Sequence, residues 1–212
     1  MAKRSYGQFC GLAHALDLVG DRWTLLVVRE LLLGPRRYTE LLADLPGIGT
    51  NLLAERLRSL EAAGLVERDG AGIRAPYRLT DRGEGLREVA YALTRFGLGQ
   101  RPEVPDDAEF RPRWAVLGLA ALVERGRRPE RPEAYQFVVG DVPVRVLAGP
   151  DGVRVEEGEV AEPAVRYACD PLTFARLGAG RLDRAEAVAA GLLAVDGDPA
   201  AVARLEGLLR PR

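Results

Sequence analysis

The side chains best suited to hydrogen-bonding and ionic contacts gather between positions 36 and 74. Thr50, Asn51, Glu55, Arg58 and Ser59 recur at the interval that sets side chains on one face of a helix. Their chemistry is that of base edges: arginine pairs with guanine, asparagine with adenine, and glutamate accepts from cytosine. Arg36, Arg37 and Tyr38 follow Gly34-Pro35, where they can grip a phosphate together with the free N–H groups of a helix start. Arg74 stands beyond Gly70 and Gly72, within reach of a phosphate or the minor groove. A polar stripe alone is most often a solvated helix face, so the surrounding elements must decide.

Other chemistries find less support. His14, the only histidine, has no second histidine and no Cys-x-x-Cys near it, so no metal is expected. No phosphate loop or nucleophile–base arrangement occurs, and neither an enzyme activity nor a cofactor is expected. Cys10 and Cys169 lie in different halves, which argues against a disulfide framework and for the cytoplasm. Cys10 is a redox candidate only if a cation or helix dipole lowers its pKa; Arg4 is the nearest basic residue, and an inert thiol is the alternative. No apolar run reaches membrane-spanning length, the N-terminus lacks a continuous apolar core, and no membrane partner is expected.

The positioning elements follow from hydrophobic spacing. A helix over 22–33, capped by Asp21, stops at Gly34-Pro35, and a short one carries Tyr38, Leu41, Leu42 and Leu45 up to Pro46-Gly47. A third starts at Gly49-Thr50-Asn51, turns Leu53, Leu57 and Leu60 inward, and ends at Gly64. Residues 65–68 and 77–79 then pair as a ribbon around a 69–75 loop. This order is a winged helix-turn-helix, with the third helix sized for a DNA major groove. Flanking helices are expected over 8–19, with Phe9, Leu12, Ala13, Leu16 and Val19 on one face, and over 81–96, capped by Thr80. The second carries Leu86, Val89, Ala90, Leu93 and Thr94, part of which is the expected dimer seam.

Charge does not announce nucleic acid by itself. Among 212 residues, 47% hydrophobic and 29% charged, the net charge is −1. Residues 1–98 hold 14 Lys+Arg against 12 Asp+Glu, and the remainder 16 against 19, so any basic footprint is local. Pro, Gly and acidic residues over 97–112 mark a boundary. Beyond it come an apolar helix (113–124), strands at 134–139, 142–147, 152–155 and 164–169, expected to be antiparallel, and helices at 171–177, 184–190 and 199–209. This is a compact α+β module.

GDRW at Gly20–Trp23, R-Y-T-E-L from Arg37, R-L-x-x-L-E-x-x-G-L-V from Arg56 and Y-x-L-T-x-x-G from Tyr77 resemble the HxlR family of bacterial transcription regulators, relatives of the MarR type. The resemblance implies a homodimer on double-stranded operator DNA, with the 8–19 helix packed on a partner subunit. The end of the chain, with Phe174, the 178–180 turn, Gly191-Leu-Leu-Ala-Val and Gly197-Asp198, resembles the sterol-carrier-protein type, a fold that encloses an apolar tunnel. Trp114, Leu117, Tyr135, Phe137, Phe174 and Leu177 are the large side chains expected to line it, or else to fill a core. The resulting organisation is a winged-helix DNA-binding and dimerisation domain (1–98), a linker (99–112) and an effector-binding domain (113–212). The function expected is ligand-responsive regulation, with repression the expected mode, on a pseudopalindromic operator. The alternative is a hydrophobic-ligand carrier or interaction protein whose winged helix is only a dimerisation scaffold.

Overall fold

A computed structural model of the chain describes residues 5–70, 72, 74–123 and 129–209. Of the positions singled out above, Arg4 and part of the 69–75 loop (Ala71 and Ile73) lie outside the described residues, as does Glu124 at the end of the 113–124 helix. The chain divides into two compact units, Met1–Ala90 and Tyr91–Arg212.

In the first unit, α1 (Gly11–Val19) precedes α2 (Thr24–Leu32), α3 (Tyr38–Asp44) and α4 (Thr50–Ala62). The ribbon follows as β1 (Val66–Arg68) and β2 (Tyr77–Leu79), antiparallel with Val66 opposite Leu79. Val27, Val28, Leu31, Leu41, Leu45, Leu53, Leu57 and Leu60 form the core, each at most 3% exposed. Residues three and four apart on each helix therefore supply its inward face, as the spacing required.

Two expected details differ. Asp21 does not cap α2: its carboxylate lies 2.9 Å from Arg56 Nη1 on α4. The residue before α2 is Trp23, in the left-handed region at φ 78°, a conformation costing of order 1 kcal/mol. Its ring lies beside Gly47, in the turn after α3. The helix expected over 81–96 is instead a single turn, α5 (Asp81–Glu84), and a separate helix, α6 (Arg87–Gly99). Thr80 does cap α5, its hydroxyl accepting from Gly83 N at 3.1 Å. The interruption falls at Gly85-Leu86, where glycine weakens helix propagation.

In the second unit, α7 (Trp114–Val123) precedes a five-stranded sheet in the order β5-β4-β3-β6-β7. Strands β3 (Glu133–Val139), β4 (Val142–Gly149) and β5 (Gly152–Glu157) form an antiparallel meander. The sheet is mixed rather than wholly antiparallel, because β6 (Val165–Cys169) runs parallel to β3. Gln136, 1% exposed, holds the segment that makes this return. Its amide nitrogen donates to the carbonyls of Val144 and Gly158, and its amide oxygen accepts from Val160 N at 2.7 Å. A buried amide satisfied in this way clamps the crossover segment to the sheet. Helices α8 (Pro171–Gly178) and α9 (Arg184–Ala189) lead to β7 (Leu193–Gly197), a strand not expected from sequence, and to α10 (Pro199–Leu209). Tyr135, Phe137, Val139, Val144, Val146, Val165 and Tyr167 share one core with Ala115 and Leu119 of α7 and Leu205 of α10.

The division between units also departs from the 99–112 linker read from composition, since residues 91–112 fall with the second unit. Arg95 donates to the Ala121 carbonyl at 2.9 Å. Arg181 bonds the carbonyls of Arg101 and Pro102 and pairs with Glu103, and Arg176 pairs with Asp106. Proline and acidic residues looked like a linker because their partners lie some 70 to 80 positions downstream.

Candidate nucleic-acid interface and apolar cavity

Helix α4 presents the chemistry that its spacing suggested. With Leu53, Leu57 and Leu60 buried, Thr50, Asn51, Glu55, Arg58, Ser59 and Ala62 are all exposed. Among the described residues Arg58 bonds only within its own helix, Nε to the Ala54 carbonyl at 3.2 Å, which leaves its terminal nitrogens unspent. Glu55 lies 3.5 Å from Arg56 Nη1. Tyr38 is a positioning group: its hydroxyl donates to the Thr50 carbonyl at 2.7 Å, tying the start of α3 to the start of α4.

The other basic residues separate into paired and unpaired. Arg36 is partly buried; its backbone exchanges two hydrogen bonds with Tyr77, and its Nε lies 3.7 Å from Asp44. Arg37 is exposed immediately before α3, its N–H held by Glu40 Oε2 at 2.6 Å. Arg56, Arg68 and Arg78 face Asp21, Glu61 and Glu67 respectively. Among the described residues of this unit, Arg22, Arg37, Arg58, Arg74 and Arg82 are exposed arginines without an ion pair, and Arg82 is held on the Ala63 carbonyl at 3.0 Å. Arg22 was not singled out from sequence; its guanidinium lies 5.9 Å from the Trp23 ring centre. Its signal was the arginine inside the GDRW run, read there only as part of a motif.

The Y-x-L-T-x-x-G motif acquires a structural reason. Thr80 donates its hydroxyl to the Gly64 carbonyl at 2.7 Å, and its N–H to the Leu65 carbonyl at 3.1 Å. A Cβ on Gly83 would come within 2.0 Å of that Leu65 oxygen. The motif therefore seats the chain after the wing directly on the end of the recognition helix.

The second unit contains a cavity of about 620 Å³, a size suited to a small molecule. Of the six side chains expected to line a tunnel, Phe137, Phe174 and Leu177 do so. Trp114 stacks edge-on against Phe110 at 5.9 Å, and Leu117 is buried outside the cavity wall. Tyr135 is fully buried, its hydroxyl on Glu133, which in turn lies 2.7 Å from Arg204. Burial and the adjoining carboxylate push the Tyr135 phenol well above its ordinary pKa. Leu98, Leu119, Leu182, Leu193 and Leu209 complete the apolar wall; their roles needed the fold, since they come from five separate segments.

The cysteines differ sharply. Cys10 is exposed before α1, where the N–H groups of Ala13 and Leu12 hold its thiol below the ordinary value. Cys169 lines the cavity, and burial, with Asp170 beside it, pushes its thiol up to about 11. Among the described residues no cluster of His, Cys, Asp and Glu could hold a metal, and no helix is long and apolar enough to cross a membrane.

A helix-turn-helix with a ribbon, an exposed polar face on its second helix and unpaired arginines beside it define a winged-helix DNA-binding transcription regulator. The chain belongs to the HxlR-like helix-turn-helix family, whose pattern matches residues 18–104. It is 40% identical over 94 residues to the HTH-type transcriptional regulator sll1512 of Synechocystis, covering 43% of this chain and 70% of the relative. The HTH-type regulator Rv3095 of Mycobacterium tuberculosis is 39% identical over 110 residues, covering 50% of this chain and 68% of the relative. The HTH-type transcriptional regulator YodB of Bacillus subtilis is 37% identical over 81 residues, covering 37% of this chain and 72% of the relative.

Proposed function

We propose that the protein is a homodimeric, ligand-responsive repressor that binds a pseudopalindromic operator. The observation that carries the DNA contacts is the uncovered polar face of α4, with Arg37 exposed at the start of α3. Asn51, Glu55, Arg58 and Ser59 read base edges, while Arg37, Arg74 and the Thr50 end of α4 hold phosphates. Arg36, engaged with Asp44 and Tyr77, positions the segment that carries Arg37. The homodimer is supported by apolar residues left in solvent: Leu12 is 68% exposed on α1, and Leu93 and Phe96 of α6 are 49% and 69% exposed. Burying such side chains against a second copy recovers roughly 25 cal/mol per Å² of apolar area.

The second unit acts as the effector module, of sterol-carrier-like type. The 620 Å³ cavity supports this, as do its apolar wall, the 178–180 turn and the closing helix α10. Arg95 and Leu98 of α6 line the cavity, whereas Leu93 and Phe96 of the same helix are exposed. An occupant therefore touches the helix whose outer face is offered to a partner, and it shifts regulation through unequal affinity for two dimer geometries.

Binding to duplex DNA carrying the operator, followed by fluorescence anisotropy, tests the DNA surface. Arg37→Ala is expected to weaken all sequences alike, and Arg58→Ala to cost about 1–3 kcal/mol of discrimination at particular base pairs. Unchanged operator binding in both variants would move the DNA surface elsewhere. Absence of any salt-dependent DNA binding would favour the carrier with a winged-helix scaffold.

A further inference from the structure

We infer that the occupant of the second unit's cavity is an amphiphile with an anionic head, and that Arg101 receives the head. This rests on reading the cavity as an effector site. The wall contributed by Leu98, Leu119, Phe137, Phe174, Leu177 and Leu209 is apolar and suits a hydrocarbon body. The charged groups at its edge are not equivalent. Arg184 and Glu206 satisfy each other at 2.5 Å. The Asp183 carboxylate is occupied by the Ala185 N–H at 2.7 Å, capping α9. Arg95 donates to the Ala121 carbonyl. The Arg101 guanidinium, by contrast, has neither a hydrogen bond nor an ion pair among the described residues.

Arg101 is nevertheless placed rather than loose. Its backbone is in the left-handed region at φ 49°, where arginine is uncommon, and its carbonyl accepts from Arg181 Nη2. Its guanidinium lies across Gly180: a Cβ built on that residue would sit 3.2 Å from Nε and 3.4 Å from Nη2. Gly180, at φ 66°, thus supplies both the turn and the bare surface on which the fork rests. A guanidinium fixed at the rim of an apolar cavity, with its N–H groups unspent, matches a carboxylate in charge and in planar geometry. Alcohol and ammonium heads lack one or both.

The test uses the full chain and three ligands with the same ten-carbon tail, decanoate, 1-decanol and decyltrimethylammonium, titrated calorimetrically below their aggregation limits. Decanoate is expected to bind about tenfold more tightly than 1-decanol, the order expected for a hydrogen bond to a charged group. The ammonium ligand is expected to bind more weakly than either. Arg101→Asn suits the left-handed backbone and should erase the decanoate preference while leaving 1-decanol affinity unchanged, which also reports an intact cavity. Arg101→Lys should keep part of the preference. Equal binding of decanoate and 1-decanol by the native chain would overturn the anionic head and leave the apolar cavity standing. A preference that survives Arg101→Asn would overturn the role of Arg101. Failure of all three ligands to bind would overturn both the head and the effector reading.

Discussion

Gly83→Ala is expected to lower the stability of the first unit by about 3 kcal/mol or more, the upper end of what overpacking costs. The added Cβ would meet the Leu65 carbonyl oxygen at 2.0 Å, a backbone atom that no rotamer change can move aside. That carbonyl already accepts from Thr80 N, and the neighbouring Gly64 carbonyl accepts from the Thr80 hydroxyl. Relief of the clash must therefore break the seat between the end of α4 and the start of α5. Gly49→Ala is the matched control, because nothing lies within 4 Å of its Cβ and its φ of −77° suits any residue. Urea denaturation should show a large fall in midpoint for Gly83→Ala and a smaller loss, at most about 1 kcal/mol, for Gly49→Ala, since Gly49 is the N-cap of α4 and alanine caps poorly. Equal midpoints for native and Gly83→Ala proteins would mean that this contact is not as close as described.

The second large effect is salt dependence. Besides Arg82, which is held on the Ala63 carbonyl, four exposed arginines of the first unit (Arg22, Arg37, Arg58 and Arg74) carry no ion pair among the described residues. If a dimer sets Arg22, Arg37 and Arg74 on phosphates while Arg58 reads base edges, about six counterions are released, and affinity should fall by roughly three decades between 50 and 200 mM salt. Arg37→Ala removes one such contact per protomer and should make the slope shallower by about 2. An affinity that changes less than about tenfold across this range would show that these arginines do not grip the backbone. The small net charge of the first 98 residues does not oppose the expectation. Arg36, Arg56, Arg68 and Arg78 are spent internally on acidic partners, so a count of charges misjudges what is offered to DNA.

The recognition helix was legible because its period is unambiguous: Leu53, Leu57 and Leu60 inward leaves one face for Asn51, Glu55 and Arg58. The wing was legible from two short β-prone runs around glycines. Asp21 misled because a good capping type was claimed by Arg56, 35 residues away, a long-range pairing that local propensity does not encode. The β7 strand went unread since Leu193 to Gly197 is short and flanked by glycine, with only Leu193 fully buried. The segment that returns the chain to a parallel β6 is tied down by Gln136, whose amide looks like an ordinary polar residue in a strand. In the cavity, bulk was the wrong criterion for Trp114 and Tyr135. Tyr135 finds its partner in Glu133 and Trp114 packs on Phe110, whereas smaller leucines from distant segments build the wall.

Sequencing of the genomic DNA fragments retained by the purified full chain at moderate salt reaches the regulatory assignment most directly. The retained fragments should share a two-fold-related sequence whose half-sites are centred about one helical turn, 10–10.5 base pairs, apart, or a multiple of it. Arg58→Ala should relax the preference at matching positions in both half-sites. Retention of fragments with no shared sequence, or of a motif without two-fold symmetry that Arg58→Ala leaves intact, would contradict a dimeric operator-binding regulator reading DNA through α4.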